Sequence, residues 1–318
     1  MTEAAETNRQ WPLIVLSPHF DDAVISVGGI MARHAAAGRR VEVHTAYASH
    51  PPRLDEVPPR YRRLLIYDQR RSEDRRALGS IGVEPVWLDF CERAVLSPAL
   101  PRPLGVFGLP RPATLGRFHN LPGLKAHAAR LASSPSRPLV LAPLGIGAHI
   151  DHAELFLASV LAMLETGFYD RFGFYEDAYA MSGRARRRHF LAALDQLPLG
   201  KAPALAGPVA LAMLTAMGLA ERGPRLEEFL PALVAELQWQ AQAFPLEGYA
   251  EAKLAAMRLY TSQMRTLGGY RTFSAMVKRW HQSRQDAEWL WTAQASARGR
   301  PKVARTGPRS HVPASTLL

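Results

Sequence analysis

The sequence is poor in several things that would each have pointed to a class of protein. Its 318 residues hold a single cysteine, Cys91, so no internal disulfide forms and the sequence predicts a reducing compartment, the cytoplasm. The opening MTEAAETNRQW has no apolar h-region of the kind a signal peptide requires. No apolar run reaches membrane-spanning length. The richest, Ala202 to Ala220, is interrupted by Pro203, Gly207, Pro208 and Gly218, and stable membrane insertion is not expected. No G-x-G-x-x-G follows the first apolar run, which weakens a nucleotide-binding Rossmann module, and the Gly28-Gly29 pair lies inside a helical stretch rather than in a strand-to-helix turn. Acidic residues are missing after Glu288. The segment that follows carries Arg298, Arg300, Lys302, Arg305 and Arg309 among Gly, Pro and Ser, and reads as a disordered basic tail.

That tail supplies a good part of the net charge of +11. Elsewhere cations and acids are mixed, as at Arg70, Arg71, Glu73, Asp74, Arg75 and Arg76, and only Arg184 to Arg188 form a dense basic cluster. No recognised nucleic-acid motif accompanies the charge, so no nucleic-acid partner is expected.

What is present is an alternation of short apolar runs with amphipathic stretches, which predicts an α/β fold: a Rossmann-like, mostly parallel sheet with helices on both faces. Strands are expected at Leu13 to Ser17, Val41 to Tyr47, Glu84 to Phe90, Pro138 to Pro143 and Phe172 to Tyr175. Helices are expected at Ala23 to Ala37, Asp68 to Leu78 and about His152 to Glu165. The division that follows is a flexible N-terminus (1–10), a core (11–185), a largely helical C-terminal part (186–297) and the tail (298–318). Two connections, Ser49 to Tyr67 and roughly Cys91 to Gly123, exceed ordinary loop length and follow strand ends, which suits covering a ligand site.

Two clusters carry chemistry. Ser17-Pro18-His19-Phe20-Asp21-Asp22-Ala23 stands where the first strand meets the first helix, and Gly145-Ile146-Gly147-Ala148-His149-Ile150-Asp151-His152 stands after the fourth strand. Carboxylates also suit a helix N-terminus, so on the first cluster alone capping and function are equal readings. Parallel strands present their C-terminal ends along one edge, which brings the clusters together, and His, Asp and His form a donor set that Zn²⁺ accepts with a position left open.

SPHFDDA, Gly28-Gly29, Arg71-Ser72-Glu73-Asp74, PLGIGAHIDH, Tyr175-Glu176-Asp177 and Tyr260-Thr261-Ser262-Gln263, in that order, resemble the PIG-L (LmbE-like) family of zinc-dependent N-deacetylases. The resemblance implies that His19, Asp22 and His152 hold Zn²⁺, that Asp21 is the general base, that His149 is the electrophile and that Asp151 holds the His149 imidazole. It implies substrate contacts from Arg71, Glu73 and Asp177, with ordinary ion pairing an equal reading for each. The expected substrate is an N-acetylated amino sugar or glycosylated small molecule. Three positions depart from the commonest pattern: Phe20 replaces a proline, Ala23 a glutamate, and Gly147 a tyrosine that some members carry. Competing expectations are an amidase acting on a larger acyl group or a thiol-conjugate amide, and a zinc-binding protein without catalysis.

Overall fold

The structure, a computed structural model, describes residues 11–50, 66–93, 106–111, 118–180, 182–197, 199, 223–230 and 237–295. The expected flexible N-terminus, the basic tail and the run Ala202 to Ala220 lie outside the described residues.

Five parallel strands form the centre: β1 (Leu13–Ser17), β2 (Val41–Thr45), β3 (Glu84–Trp87), β4 (Leu139–Pro143) and β5 (Phe172–Tyr175). Between them run α1 (Asp22–Ala36), α2 (Tyr67–Gly79), α3 (Leu121–Ala132) and α4 (Ile150–Thr166). Eight of the nine agree with expected elements; α3 was not foreseen, and only its first turn overlaps the stretch read as a connection, which ended at about Gly123. Strand residues alternate between faces: Ile14 and Leu16 join one buried cluster with α3 and α4, while Leu13 and Val15 join another with α1. Each buried Val, Leu, Ile or Phe in these layers contributes roughly 1.5–3 kcal/mol.

Among the described residues the C-terminal part is largely helical, as expected, but it also holds two long strands that the sequence reading did not foresee. It has short helices α5 (Gly183–Arg187) and α6 (Phe190–Ala193), then β6 (Leu237–Pro245), α7 (Ala250–Arg258), α8 (Thr261–Thr266), α9 (Tyr270–Gln282) and β7 (Ala287–Ala295). The two long strands pair antiparallel and extend the sheet, giving the order β3-β2-β1-β4-β5-β7-β6. The physical reason is visible in β6, where Leu237 and Trp239 are buried and Gln238 and Gln240 exposed, a two-residue period. Trp239 and Trp291 pack in the buried core on one face of the sheet.

This part is also locked to α1. Glu288 of β7 accepts the backbone N–H of Gly29 (3.0 Å) and of Ile30 (2.8 Å), inside α1 just past a break in helical geometry at Val27. Lys253 Nζ, buried in α7, donates to the same carboxylate at 2.8 Å. A Cβ on Gly29 would meet Leu246 Cδ2 at 2.2 Å, and one on Gly28 would meet Lys253 Cγ at 3.0 Å. The glycine pair is therefore there for close approach of the C-terminal part. Among the described residues, no helix is long and apolar enough to cross a membrane.

The connectivity reverses between β1 and β4, which are direct neighbours although far apart in sequence. In open α/β sheets the crevice beyond the strand ends at such a reversal is where ligands bind.

Candidate metal centre

Both chemistry-bearing clusters open onto that crevice. After β1, Tyr175 donates its hydroxyl to the Leu16 carbonyl (2.9 Å), and Ser17 Oγ donates to the His19 carbonyl (2.6 Å) while accepting the Ala23 N–H (3.1 Å). The turn that carries His19 is thereby fixed at both ends. After β4, positive φ angles at Gly145 (73°), Gly147 (94°) and Ala148 (57°) coil the chain so that His149 reaches the N-cap of α4. His152 follows one turn into the helix.

The inward donor atoms converge on Asp22. Its Oδ2 lies 3.0 Å from His19 Nδ1 and 3.1 Å from His152 Nε2, and the ligand atoms of His19, Asp22 and His152 all lie within 4.8 Å of one another. The outer nitrogen of each ring faces another carboxylate: His19 Nε2 is 3.1 Å from Asp151 Oδ2, and His152 Nδ1 is 2.6 Å from Asp177 Oδ1. An outer nitrogen that donates leaves the inner one a lone pair aimed at Asp22, so the centre requires positive charge between the rings and the carboxylate. Two imidazoles and a carboxylate, each oriented by an outer partner, fit a Zn²⁺-type ion.

The same demand shows in the proton affinities. Burial alone would lower both histidines, but Asp151 and Asp22 hold His19 well above the usual imidazole value, and Asp22 with Asp177 brings His152 to about 9. Burial would raise Asp22, yet His152 and His19 keep it well below the usual carboxylate range. Burial, reinforced by the Asp22 charge, lifts Asp21 to about 6, and Arg70 and His19 restrain that rise.

Asp21 occupies the N-cap of α1 and is 7% exposed, but its side chain makes no capping hydrogen bond. The capping reading, equal on sequence alone, loses its physical basis for this residue. His149 stands beside the centre, its ring centroid 5.0 Å from both His19 and His152. Burial pushes it down to about 3, and its Nδ1 accepts the Asp151 N–H at 3.3 Å, so the neutral ring carries its proton on Nε2.

Three expected roles meet a different geometry. The Asp151 carboxylate lies against His19 and the Arg93 N–H (3.1 Å) rather than against His149, which Asp151 contacts through its backbone. Asp177 is 1% exposed and spends one oxygen on His152 and the other on the Ile146 N–H (2.8 Å). Glu73, also 1% exposed, accepts from Thr261 Oγ1 (2.7 Å), Ser262 Oγ (2.6 Å), Ser262 N–H and Gln69 Nε2 (2.9 Å), tying α2 to α8. Both carboxylates are thus buried, and every oxygen accepts at least one hydrogen bond within the protein. Arg71 is half-buried, donates to the Ala48 carbonyl (2.8 Å) and lies over Trp87.

Sequence reasoning missed Arg70, Glu92 and Tyr179. Arg70 Nη1 and the Tyr67 hydroxyl each donate to Glu92 Oε1 at 2.7 Å, and the guanidinium covers Phe20 in the turn that presents Asp21. Tyr179 packs edge-on against His152 (4.6 Å between centroids) and donates to the Ile146 carbonyl at 2.8 Å. Helical spacing held a signal for Arg70: with Glu73, Asp74 and Ala77 it shares the buried face of α2. Of the second long connection, 106–111 reaches the centre. Phe107 bridges to His149 and meets its ring edge-on at 5.3 Å. Residues 51–65 of the first connection lie outside the described residues.

An open α/β sheet with an imidazole–carboxylate cluster at its reversal point defines an α/β protein with a candidate metal centre. More narrowly, the chain is similar to the PIG-L family: the family described as PIG-L, GlcNAc-PI de-N-acetylase, matches residues 14–163, just under half of the chain and the stretch that contains the cluster from His19 to His152. No curated protein sequence matches the chain significantly. Among solved structures, the zinc-inhibited form of teicoplanin deacetylase Orf2 is similar over 91% of this chain and 100% of its own, at 20% identity and a TM-score of 0.60. The A40926 pseudoaglycone deacetylase Dbv21 is similar over 90% of this chain and 98% of its own, at 20% identity and a TM-score of 0.57. At these identities the likeness is one of fold, and it includes the C-terminal part beyond the family match.

Proposed function

We propose that the protein is a zinc-dependent N-deacetylase that hydrolyses the acetamide of an amino sugar or glycosylated small molecule in the cytoplasm. The observation that carries this reading is the convergence of His19 Nδ1, Asp22 Oδ2 and His152 Nε2 beside an uncapping, buried Asp21. The family description, GlcNAc-PI de-N-acetylase, supports an N-acetylated sugar as substrate, and the teicoplanin and A40926 pseudoaglycone deacetylases support acetyl as the group removed.

When bound at this centre, Zn²⁺ supplies Lewis-acid polarisation of the amide carbonyl and makes water more acidic. The chain's own groups do the rest. Asp21 accepts a proton from the attacking water as its oxygen bonds to the carbonyl carbon. His149, neutral with its proton on Nε2, donates a hydrogen bond to the developing oxyanion. The C–N bond then breaks, the amine leaves with the proton Asp21 took up, and acetate remains. Asp151 and Asp177 act behind the ligands by fixing the His19 and His152 rings. Arg71 is retained as a candidate for substrate hydroxyls.

The test is zinc content of purified protein together with acetate release from a panel of N-acetylated sugars and glycosides. Stoichiometric zinc with acetate release is expected. Zinc without acetate would transfer the reading to an amidase of larger acyl groups.

A further inference from the structure

The basic cluster Arg184 to Arg188 takes no part in the metal centre. Arg186 is buried and pairs with Glu176 at 2.7 Å, which is a structural use. Arg188, just past α5, instead lines a cleft of about 490 Å³, its solvent-filled mouth included. Two chain segments join this cleft to the centre. Ala148 in its wall directly precedes His149, and Leu109 lies two residues beyond Phe107, whose ring meets His149 edge-on.

The lining combines apolar surface with positive charge. Leu109, Ala148 and Leu226 supply the first, Arg188 and Arg225 the second. His189 adds a neutral ring whose nitrogens are both committed, to the Leu144 carbonyl and the Leu191 N–H. Arg225 gives its Nε to Glu227 (2.9 Å) and its Nη2 to the Arg188 carbonyl (3.3 Å), which ties the two arginine-bearing segments together. Arg188 is half-buried, and among the described residues no carboxylate pairs with it; its one side-chain hydrogen bond goes to the Gly223 carbonyl at 3.5 Å. A guanidinium without an acidic partner, in an apolar-walled cleft, presents its planar fork to a carboxylate or a phosphate.

We propose that this cleft binds an acidic substituent, a carboxylate or a phosphate, on the part of the substrate remote from the acetamide, with Arg188 as the main contact and Arg225 as the second. Calling the ligand a substrate rests on the deacetylase reading, whereas the binding of the acid does not. The consequence is selectivity: among sugars that carry the same acetamide, acidic ones are preferred to neutral ones.

The probes are N-acetylglucosamine, its 1-phosphate, its 6-phosphate and its 3-O-lactyl ether, which add a phosphate at two positions or a carboxylate at a third. Acetate release gives KM and kcat, and calorimetry with the Asp21→Asn chain gives binding apart from turnover. At least one acidic compound should bind about 10-fold or more tightly than the neutral sugar, with a KM lower to match, and whether it is a phosphate or the lactyl ether identifies the acid. Arg188→Gln should abolish that advantage, raising KM for the acidic compound with kcat little changed and the neutral sugar unaffected. Arg188→Lys, which keeps the charge without the fork, should retain part of it. Arg225→Gln should also reduce it and serves if Arg188→Gln does not fold. The site is overturned if no acidic compound is favoured over N-acetylglucosamine, or if the advantage survives in both Arg188→Gln and Arg225→Gln, which would put the acid elsewhere. If the acidic compounds bind through Arg188 but no acetate is released under any condition, the deacetylase reading fails and the cleft stands.

Discussion

Asp177 Oδ1 lies 2.6 Å from His152 Nδ1, with both side chains buried, and this contact fixes which nitrogen of His152 turns toward Asp22. A carboxylate behind a ligating imidazole sets its tautomer and raises its basicity. Asp177→Asn keeps an acceptor but removes the charge, so the expected outcome is about a 10–100-fold loss of zinc affinity in chelator competition. The Michaelis constant at saturating zinc should hardly change. A raised Michaelis constant with unchanged zinc affinity would instead place Asp177 on the substrate.

Glu73 leads to the opposite expectation, a stability effect with little on chemistry. Glu73→Ala leaves the Ser262 N–H and hydroxyl, Thr261 Oγ1 and the Gln69 amide without their acceptor where α2 meets α8. A loss of about 2–4 kcal/mol in unfolding free energy is expected, measured by denaturant titration, with kcat/KM per folded molecule close to wild type.

These two residues show where sequence reading stops. The convergence of His19, Asp22 and His152 was legible because they lie in short-range motifs at strand ends, and the parallel alternation told which ends meet. Partners behind the ligands were not, because which oxygen faces which ring depends on contacts such as Ile146 N–H to Asp177, between residues 31 apart in sequence. The C-terminal strands were misjudged for a similar reason. Their aromatics suit a helix face as well as a sheet, and the deciding partner of β6 is β7, beyond three intervening helices. Gly28-Gly29 was visible as a motif, but its cause, the approach of Leu246 and Lys253, is wholly long-range.

His189 gives a pH-dependent expectation. Its Nε2–H donates to the Leu144 carbonyl (3.0 Å) and its Nδ1 accepts the Leu191 N–H (3.4 Å), and burial pushes its pKa down to about 3. The unfolded chain takes up this proton below about 6.5 and the folded protein does not, so stability contributed by neutral His189 is present above that pH and is lost as pH falls toward 3. His189→Gln should flatten the acid limb between pH 6 and pH 4 by about 1.4 kcal/mol per pH unit, read from unfolding free energy against pH. An unchanged slope would mean that His189 is already protonated in the fold.

A substitution at Asp21 tests whether catalysis can be separated from metal binding. Asp21 adjoins Asp22 in sequence, yet it lies outside the group of residues whose ligand atoms converge, and at the N-cap of α1 its side chain caps nothing. Burial and the neighbouring Asp22 charge lift its proton affinity, which suits a group that accepts a proton from water and later returns it. Asp21→Asn preserves the shape of the side chain and removes its basicity. Zinc content and thermal midpoint should stay near wild type, while turnover falls about 100-fold or more, the usual scale for a general base. Zinc content decides between the alternatives. If Asp21→Asn loses the metal, Asp21 is a ligand and the base must be sought elsewhere. If it keeps both metal and full turnover, water is activated without Asp21, and its burial beside the centre serves the fold alone.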